Sequence, residues 1–243
     1  MKKYIFIISS IIIIFAVLLF FYSEYIIYQN KKNYELELIT FQEKNSECIF
    51  EISECILYSS ANAINSSVAG RPYWDLSICQ YTDIGITINN QVTYIGDYNK
   101  NTIKNLYIDN INFNYPILGE PSLYYKDPEY FASSKVDKES LISDYHSFNI
   151  LSPNITLTYV NNNIINNYIL DASVGKITFD GSLLELANIK LEAIQCKVSF
   201  NVNIINAMDE LYICNIYFDI PLEDIYNGYT VKNLNSFKFG RIL

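Results

Sequence analysis

The sequence predicts an α+β fold: a long N-terminal helix, made of a membrane span and an amphipathic stem, followed by a mostly antiparallel β domain. Three observations support this prediction. The chain begins with a long uncharged apolar run, apolar residues then recur at spacings of four and three, and apolar and polar residues alternate along several later segments. A helical pattern followed by a series of strand patterns is typical of the α+β class.

The first predicted element is a transmembrane signal-anchor at residues 1–23. Lys2 and Lys3 precede an uncharged run, residues 4–22, which spans about 28 Å as a helix, close to the thickness of the hydrocarbon core of a bilayer. A cleaved signal peptide has a shorter apolar core and small residues at its cleavage site, whereas this run ends in large aromatic residues. We therefore expect an uncleaved anchor that contacts membrane lipid through residues 4–22.

The flanks of the span predict its orientation. Positive residues favour the cytoplasmic side, so the two lysines before the span place the N-terminus there, although Lys31 and Lys32 beyond the span weaken this bias. Asn65 and Asn154 each begin an Asn-x-Ser/Thr pattern, the glycan acceptor of exported proteins. We expect a single-pass membrane protein with a cytoplasmic N-terminus and an extracytoplasmic C-terminal domain.

The second predicted element is an amphipathic stem helix at residues 24–66, continuous with the span. Its apolar seam consists of Tyr34, Leu38, Phe41, Cys48, Ile52 and Cys55. Spacings that alternate between four and three place such residues on one face of a helix. We expect this seam to be an assembly face that packs against other subunits in a homo- or hetero-oligomer. The alternative is that it packs on the chain's own sheet.

Residues 67–243 are predicted to form one extracytoplasmic β-rich domain. Alternating and β-branched residues predict strands around 84–88, 92–95, 106–113, 155–159, 164–170, 198–204, 211–218 and 229–239. Asparagine-rich pieces at 89–90, 161–163 and 206–209 predict turns between strands, and Pro221 should end the strand before it.

Three segments of this domain lack a clear strand pattern. Pro116, Pro121 and Pro128 predict an irregular excursion, because proline punctuates regular structure. Charged residues within 133–145 predict a short surface helix, and the segment from 183 to 194 fits either a helix or a strand.

Composition and motifs argue against several classes of function. A net charge of -9 and a pI near 4.6 argue against nucleic-acid binding, which needs clustered Lys and Arg. The sequence contains no HExxH, GxSxG, P-loop or GxGxxG pattern, and His146 is its only histidine. Residues 97–101 resemble the start of a calcium loop but lack its glycine and its final Glu, so we interpret them as a turn. We predict a protein that is not an enzyme and that binds no cofactor or metal.

Five cysteines leave their pairing open: Cys48, Cys55, Cys79, Cys196 and Cys214. Cys48 and Cys55 would lie about 10.5 Å apart on a helix, too far for a mutual disulfide. Either could pair with one of the other three in an oxidising compartment. The alternative is that all five are small buried hydrophobic residues.

An aromatic cluster in the proline-rich excursion is a candidate partner surface: Tyr124, Tyr125, Tyr130 and Phe131. Exposed aromatic side chains on a loop form contact surfaces for partners. The alternative is that these side chains fold over the sheet as a small satellite core.

A membrane-spanning helix that continues as an amphipathic stem and is followed by an antiparallel sheet resembles the plan of type IV pilins and pilin-like proteins. The resemblance covers the first sixty or so residues and the β character of the remainder. It implies a helix that rests in the membrane and packs on other helices in a filament. The chain departs from the family because Met1-Lys2-Lys3-Tyr4 contains no prepilin peptidase site, and the first acidic residue, Glu24, lies beyond the span.

Three functions follow as hypotheses. The chain is a pilin-like or surface-assembly component that packs through its N-terminal helix, or a monomeric anchored ectodomain that binds a ligand or protein partner. An anchored hydrolase is the least favoured, because the catalytic motifs are missing.

Overall fold

The computed structural model describes residues 2–44, 48–66, 70–90, 103–126, 133–135, 154–174, 177–206, 208–223, 225, 229–231 and 236–242. The helices are α1 (Lys2–Lys44), α2 (Ser182–Leu186) and α3 (Leu191–Ile194), with a short 3₁₀ turn at Ala172–Val174. The strands are β1 (Phe50–Asn65), β2 (Tyr73–Asn90), β3 (Ile103–Asn114), β4 (Glu120–Lys126), β5 (Ser133–Lys135), β6 (Asn154–Asp171), β7 (Cys196–Asn206), β8 (Leu211–Ile220), β9 (Tyr229–Val231) and β10 (Gly240–Ile242).

The N-terminal helix α1 contains no glycine or proline, so nothing in its sequence interrupts helical hydrogen bonding. Its segment Ile12–Asn33 is long and apolar enough to cross a membrane, and none of that segment is buried against the rest of the protein. The Ser23 hydroxyl donates to the carbonyl of Phe20 at 2.7 Å, which satisfies a polar group inside the apolar run. The predicted N-terminal apolar helix is confirmed.

The predicted continuation of this helix to residue 66 is wrong, because residues 50–65 form β1. A β-bulge explains the misleading pattern. Ile52 pairs with Ile88 and Glu54 pairs with Thr87, so Ser53 is an extra residue in β1. Because of the bulge, the inward-facing Ile52 and Cys55 are three residues apart, which imitates helical spacing. Beyond it the buried positions alternate by two, as a strand requires.

Two antiparallel sheets pack face to face as a sandwich. The larger sheet has the strand order β5-β4-β6-β2-β1-β9, and the smaller has the order β10-β8-β7-β3. One hydrophobic core joins their inner faces and includes Ile84 and Ile86 from the larger sheet with Phe200 and Val202 from the smaller one. The prediction of a mostly antiparallel β domain after an apolar helix is therefore confirmed.

Alternation identified several strands correctly. Ile84, Ile86 and Ile88 are all buried in β2, and the buried residues of β7 include Val198, Phe200, Val202 and Ile204. The predicted turn after β7 is also present, since the Asn206 side-chain oxygen accepts the backbone N–H groups of Met208 and Glu210 at 2.9 Å. Strand β8 ends at Ile220, immediately before Pro221, as predicted.

A second hydrophobic core lies where the larger sheet extends beyond the smaller one. It combines Leu76 and Ile78 of β2 with Ile164 of β6 and with Leu183 and Leu184 of α2. The ambiguous segment 183–194 therefore contains α2 and α3, short helices that cover the exposed end of the larger sheet. The Tyr168 hydroxyl donates to the carbonyl of Leu186 at 2.9 Å and fixes α2 against β6.

The predicted turn at residues 161–163 is wrong, because β6 continues through it from Asn154 to Asp171. Its register against β2 shifts twice between Leu76 and Gln80, so β6 carries extra residues there. Asn163 and Asn167 have φ values of 54° and 58°, in the left-handed region that asparagine tolerates better than most residues. These asparagines belong to bulges within one strand.

Other turn and loop predictions also need correction. Asn89 and Asn90 are the last residues of β2, paired with β1, and do not form a turn. Part of the expected irregular excursion is β4, in which Pro121 pairs with β6. The neighbouring β5 pairs only with residues 124–126 of β4. Proline lacks a backbone N–H and is tolerated where no neighbouring strand needs that donor. Among the described residues, β5 does not extend alongside Pro121.

The remaining predictions of local structure are mixed. Residues 133–135 form β5, and the rest of the segment 133–145, in which a short surface helix is predicted, lies outside the described residues. The strand expected at 92–95, the turn at 97–101, Pro128 and His146 also lie outside the described residues. Within the strand predicted at 229–239, residues 229–231 form β9, and residues 232–235 lie outside the described residues. The next strand, β10, begins at Gly240, beyond the predicted bounds.

Candidate functional surface

The six residues of the predicted helix seam do not share one helix. Tyr34, Leu38 and Phe41 lie on α1, where their side chains fall outside the described part of the structure. Cys48 lies just before β1, and Ile52 and Cys55 lie within it. Because α1 ends at Lys44, the two groups of three belong to different elements of the molecule.

The second group of three contributes to the core of the sandwich. Ile52 and Cys55 are buried between the two sheets, and Cys48 is half-buried beside them. The ring of Phe50 contacts that of Tyr212 edge-on, with centroids 5.0 Å apart, and so joins the start of β1 to β8 of the smaller sheet. In this part of the chain, the alternative of packing on its own sheet accounts for the apolar pattern.

The predicted aromatic cluster divides between the two faces of β4. Leu123 is buried, and Tyr125, two residues further on, packs on the same core. Tyr124 lies between them in sequence and therefore faces outward from the larger sheet. Tyr130 and Phe131 lie outside the described residues. Tyr125 packs on the main core and not in a separate satellite core, whereas Tyr124 is half-exposed on the outer face.

A row of paired residues crosses the outer face of the larger sheet from Tyr124. Tyr124 pairs with Thr158 of β6, Thr158 pairs with Asp83 of β2, and Asp83 pairs with Tyr58 of β1. The Thr158 hydroxyl donates to the Asp83 carboxylate at 2.6 Å, which holds the polar centre of the row in place. Tyr58 and Tyr124 stand three strand spacings apart, or about 14 Å.

We define the tyrosine face as Tyr58, Tyr81 and Tyr124 on the outer surface of the larger sheet. Tyr58 is 41% exposed, and its ring centroid lies 6.5 Å from that of Tyr81, with the rings tilted by 47°. Tyr81 pairs with Val160 of β6, which adds an apolar side chain to the same face. The three tyrosines lie on three different strands of one sheet, so the backbone ladder fixes their spacing.

Sequence reasoning missed two members of the tyrosine face. Tyr58 fell within the segment predicted as a helix, so its outward direction could not be read from the pattern. The outward direction of Tyr81 could have been predicted, because Tyr81 alternates with the buried Thr82 and Ile84 along β2 and so lies on the opposite face. Which outward residues of β1, β2 and β4 become neighbours depends on strand order, a non-local property.

A layer of buried polar side chains separates the two hydrophobic cores. Ser59 and Thr82 share a hydrogen bond of 2.8 Å, and the Gln80 amide group donates to the Thr82 hydroxyl at 2.8 Å. The Asn161 amide group donates to the carbonyl of Leu118 at 2.9 Å. Gln80 and Asn161 are register partners, and each retains one buried side-chain oxygen without a hydrogen-bond partner. The layer is internal to the domain, and we assign it a structural role.

The five cysteines are free thiols, each buried or half-buried. Burial raises the pKa of Cys214 to about 12, with a smaller contribution from Cys48, and burial also raises the pKa of Cys196. A thiol with a raised pKa is rarely ionised near neutral pH and is therefore a weak nucleophile. In this reduced form the buried Cys55, Cys196 and Cys214 pack as small hydrophobic residues of the core.

Among the described residues, no group of three or more His, Cys, Asp or Glu side chains is arranged to hold a metal ion. Comparison with protein-family models, with curated protein sequences and with solved structures gives no match to this chain. The candidate surface therefore rests on the geometry of the tyrosine face and on the exposed apolar helix α1.

Proposed function

We propose that this protein is a membrane-anchored extracytoplasmic ectodomain that engages a protein partner through the tyrosine face. The observation that carries the proposal is the contrast between α1 and the β domain. The large apolar side chains from Ile12 to Tyr22 are 46% to 65% exposed, whereas the sandwich encloses a complete core of its own. A long exposed apolar helix, followed by a domain with its own hydrophobic core, is the arrangement expected of a membrane anchor and an attached globular domain.

The positive charges before the span and a glycosylation acceptor pattern support an exported β domain. Lys2 and Lys3 precede the apolar run, which favours a cytoplasmic N-terminus. Asn65, the first residue of an Asn-x-Ser pattern, is exposed at the end of β1, where a modifying enzyme could reach it. These two features together support a single-pass topology with an exterior sandwich.

The shape of the tyrosine face favours a macromolecular partner. Small molecules are usually bound in concave sites, whereas the outer surface of a sheet is broad and shallow. Gly85, next to the row of paired residues, carries no side chain, so no side chain projects from the sheet at that position. Tyrosine supplies a large contact area and a hydroxyl group at low entropic cost, which is why it is frequent in protein interfaces.

The location is tested with full-length protein in its native membrane. We expect the protein to remain in the membrane pellet after an alkaline wash, because α1 spans the bilayer. Protease added to intact cells should remove the β domain and leave a short membrane fragment, while a cytoplasmic control protein stays intact. A protein released by the wash, or a β domain protected from protease, would contradict the proposal.

A second candidate function is assembly through α1, as in the pilin-like plan. The specific observation is that α1 continues past Asn33 with Leu36 and Ile39 exposed by 54% and 44%. Exposed apolar residues beyond a membrane span can pack on the same helix of a neighbouring subunit. Shearing of cells should then release high-molecular-weight material, and Leu36→Asp with Ile39→Asp should abolish it. Glu35→Gln is the matched control on the same helix, and a pellet-only signal rejects assembly into a filament.

A further inference from the structure

Two of the five free cysteines border the same end of the sandwich core. Cys48 is half-buried immediately before β1, and Cys214 is completely buried on the inner face of β8. Both belong to the hydrophobic core between the sheets. Cys48 lies in the chain between the end of α1 and the start of β1, whereas Cys214 belongs to a strand with neighbours on both sides.

Contacts of neighbouring residues place these two cysteines in the same part of the core. Phe50 is two residues from Cys48, Tyr212 is two residues from Cys214, and the rings of Phe50 and Tyr212 lie 5.0 Å apart. The Cys48 thiol is close enough to contribute to the raised pKa of Cys214. In contrast, Cys48 and Cys55 are separated by about 20 Å of mostly extended chain, which excludes a bond between them.

We propose that Cys48 and Cys214 form a disulfide when the domain occupies an oxidising compartment. The bond would join the segment that precedes β1 directly to the smaller sheet. It is independent of the tyrosine face, so the failure of either idea leaves the other intact. Disulfides of this kind persist in exported proteins and not in the reducing cytosol.

The oxidant is a small disulfide such as oxidised glutathione. The half-exposed Cys48 reacts first: its thiolate attacks one sulfur, forms a mixed disulfide and releases one glutathione thiolate. The Cys214 thiolate then attacks the Cys48 sulfur and releases the second glutathione thiolate. The two protein thiols lose two electrons and two protons, and one glutathione disulfide is reduced to two thiols.

The test uses full-length protein in detergent, incubated with oxidised glutathione or with dithiothreitol and then alkylated after denaturation. We expect the oxidised sample to have two fewer alkylatable thiols than the reduced sample, and a linked peptide pair that contains residues 48 and 214. Cys48→Ser should abolish the linked pair and any difference in melting temperature between the two samples. Cys79→Ser is the control and should leave both unchanged.

Two outcomes would overturn the proposal. One is alkylation of both Cys48 and Cys214 in a folded protein that has been exposed to the oxidant. The other is a linked pair made by different cysteines, such as Cys55 with Cys214. Because Cys214→Ser places a hydroxyl in the core and can prevent folding, the half-buried Cys48 is the position at which the proposal is decided.

Discussion

The backbone N–H of Leu222 donates a hydrogen bond to the hydroxyl of Ser59 at 3.1 Å and ties the first strand to the segment that follows the last long strand. Ser59 also shares a hydrogen bond with Thr82, so one hydroxyl connects three parts of the chain. Because Ser59 is completely buried, water cannot replace it as the partner of Leu222. The polar layer between the two cores therefore holds the segment at Leu222 and strand β2 against β1.

Removal of the Ser59 hydroxyl should destabilise the domain. Ser59→Ala leaves a buried N–H without an acceptor, and we expect the free energy of unfolding to fall by about 1–3 kcal/mol. Denaturant unfolding of the full-length protein in detergent, followed by tryptophan fluorescence, measures the change. Ser53→Ala is the control, because the Ser53 hydroxyl is exposed and should contribute little. Equal effects of the two substitutions would contradict a special role for Ser59.

Two isoleucines of β1 distinguish a buried strand from a helical assembly face. Ile52 is 5% exposed and Ile64 is 74% exposed on the same strand. Ile52→Asp buries an unpaired charge, and we expect a loss of more than about 4 kcal/mol, which would prevent folding. Ile64→Asp should leave the melting temperature nearly unchanged. A folded Ile52→Asp protein that fails only to assemble would restore the helix-seam interpretation.

The tyrosine face should affect partner binding and not stability. We expect the double substitution Tyr58→Ala and Tyr124→Ala to keep the native melting temperature, because both side chains face outward. A photo-crosslinking residue at position 81 should form an adduct with a protein on intact cells, and the double substitution should remove that adduct. Position 115, where Tyr115 is 73% exposed away from this face, is the control. Identical adducts from both positions would argue against a specific surface.

The ion pair between Lys104 and Asp209 should make stability depend on acidic pH. The Lys104 ammonium group lowers the pKa of Asp209 from its ordinary value of 3.8, so the folded state favours the ionised carboxylate. This contribution is present above the ordinary value and is lost as pH falls through the lower folded value. We expect Asp209→Asn to flatten the decline in melting temperature below about pH 4. Asp219→Asn is the control, and an unchanged acid profile in Asp209→Asn would contradict the assignment.

The predictable part of the fold was local alternation, and the failures occurred where bulges interrupt it. Ile84, Ile86 and Ile88 alternate without interruption, so their burial could be predicted. The extra residue at Ser53 gave β1 a helical spacing, and Asn163 and Asn167 gave one strand the composition of a turn. A bulge depends on the register with a partner strand, which is set by contacts far away in the sequence.

The candidate surface was less predictable for the same physical reason. Tyr124 was identified from its neighbourhood in the sequence, but its partners Tyr58 and Tyr81 come from distant strands. The aromatic run that contains Tyr124 and Tyr125 carried no sign of which ring would face the core. That direction is decided by Leu157, which pairs with Tyr125 and brings it to the inner face.

The packing of Phe239 against Phe50, with ring centroids 6.1 Å apart, has a practical consequence for labelling. It places the segment 236–242 beside the start of β1, so a reporter fused there would lie at the end of the sandwich that follows α1 in the chain. The turn at Asn188 follows α2, at the opposite end of β1, about 50 Å along a strand of sixteen residues. An epitope inserted at Asn188 would lie far from the start of β1 and, in the topology proposed above, would be open to antibodies on living cells.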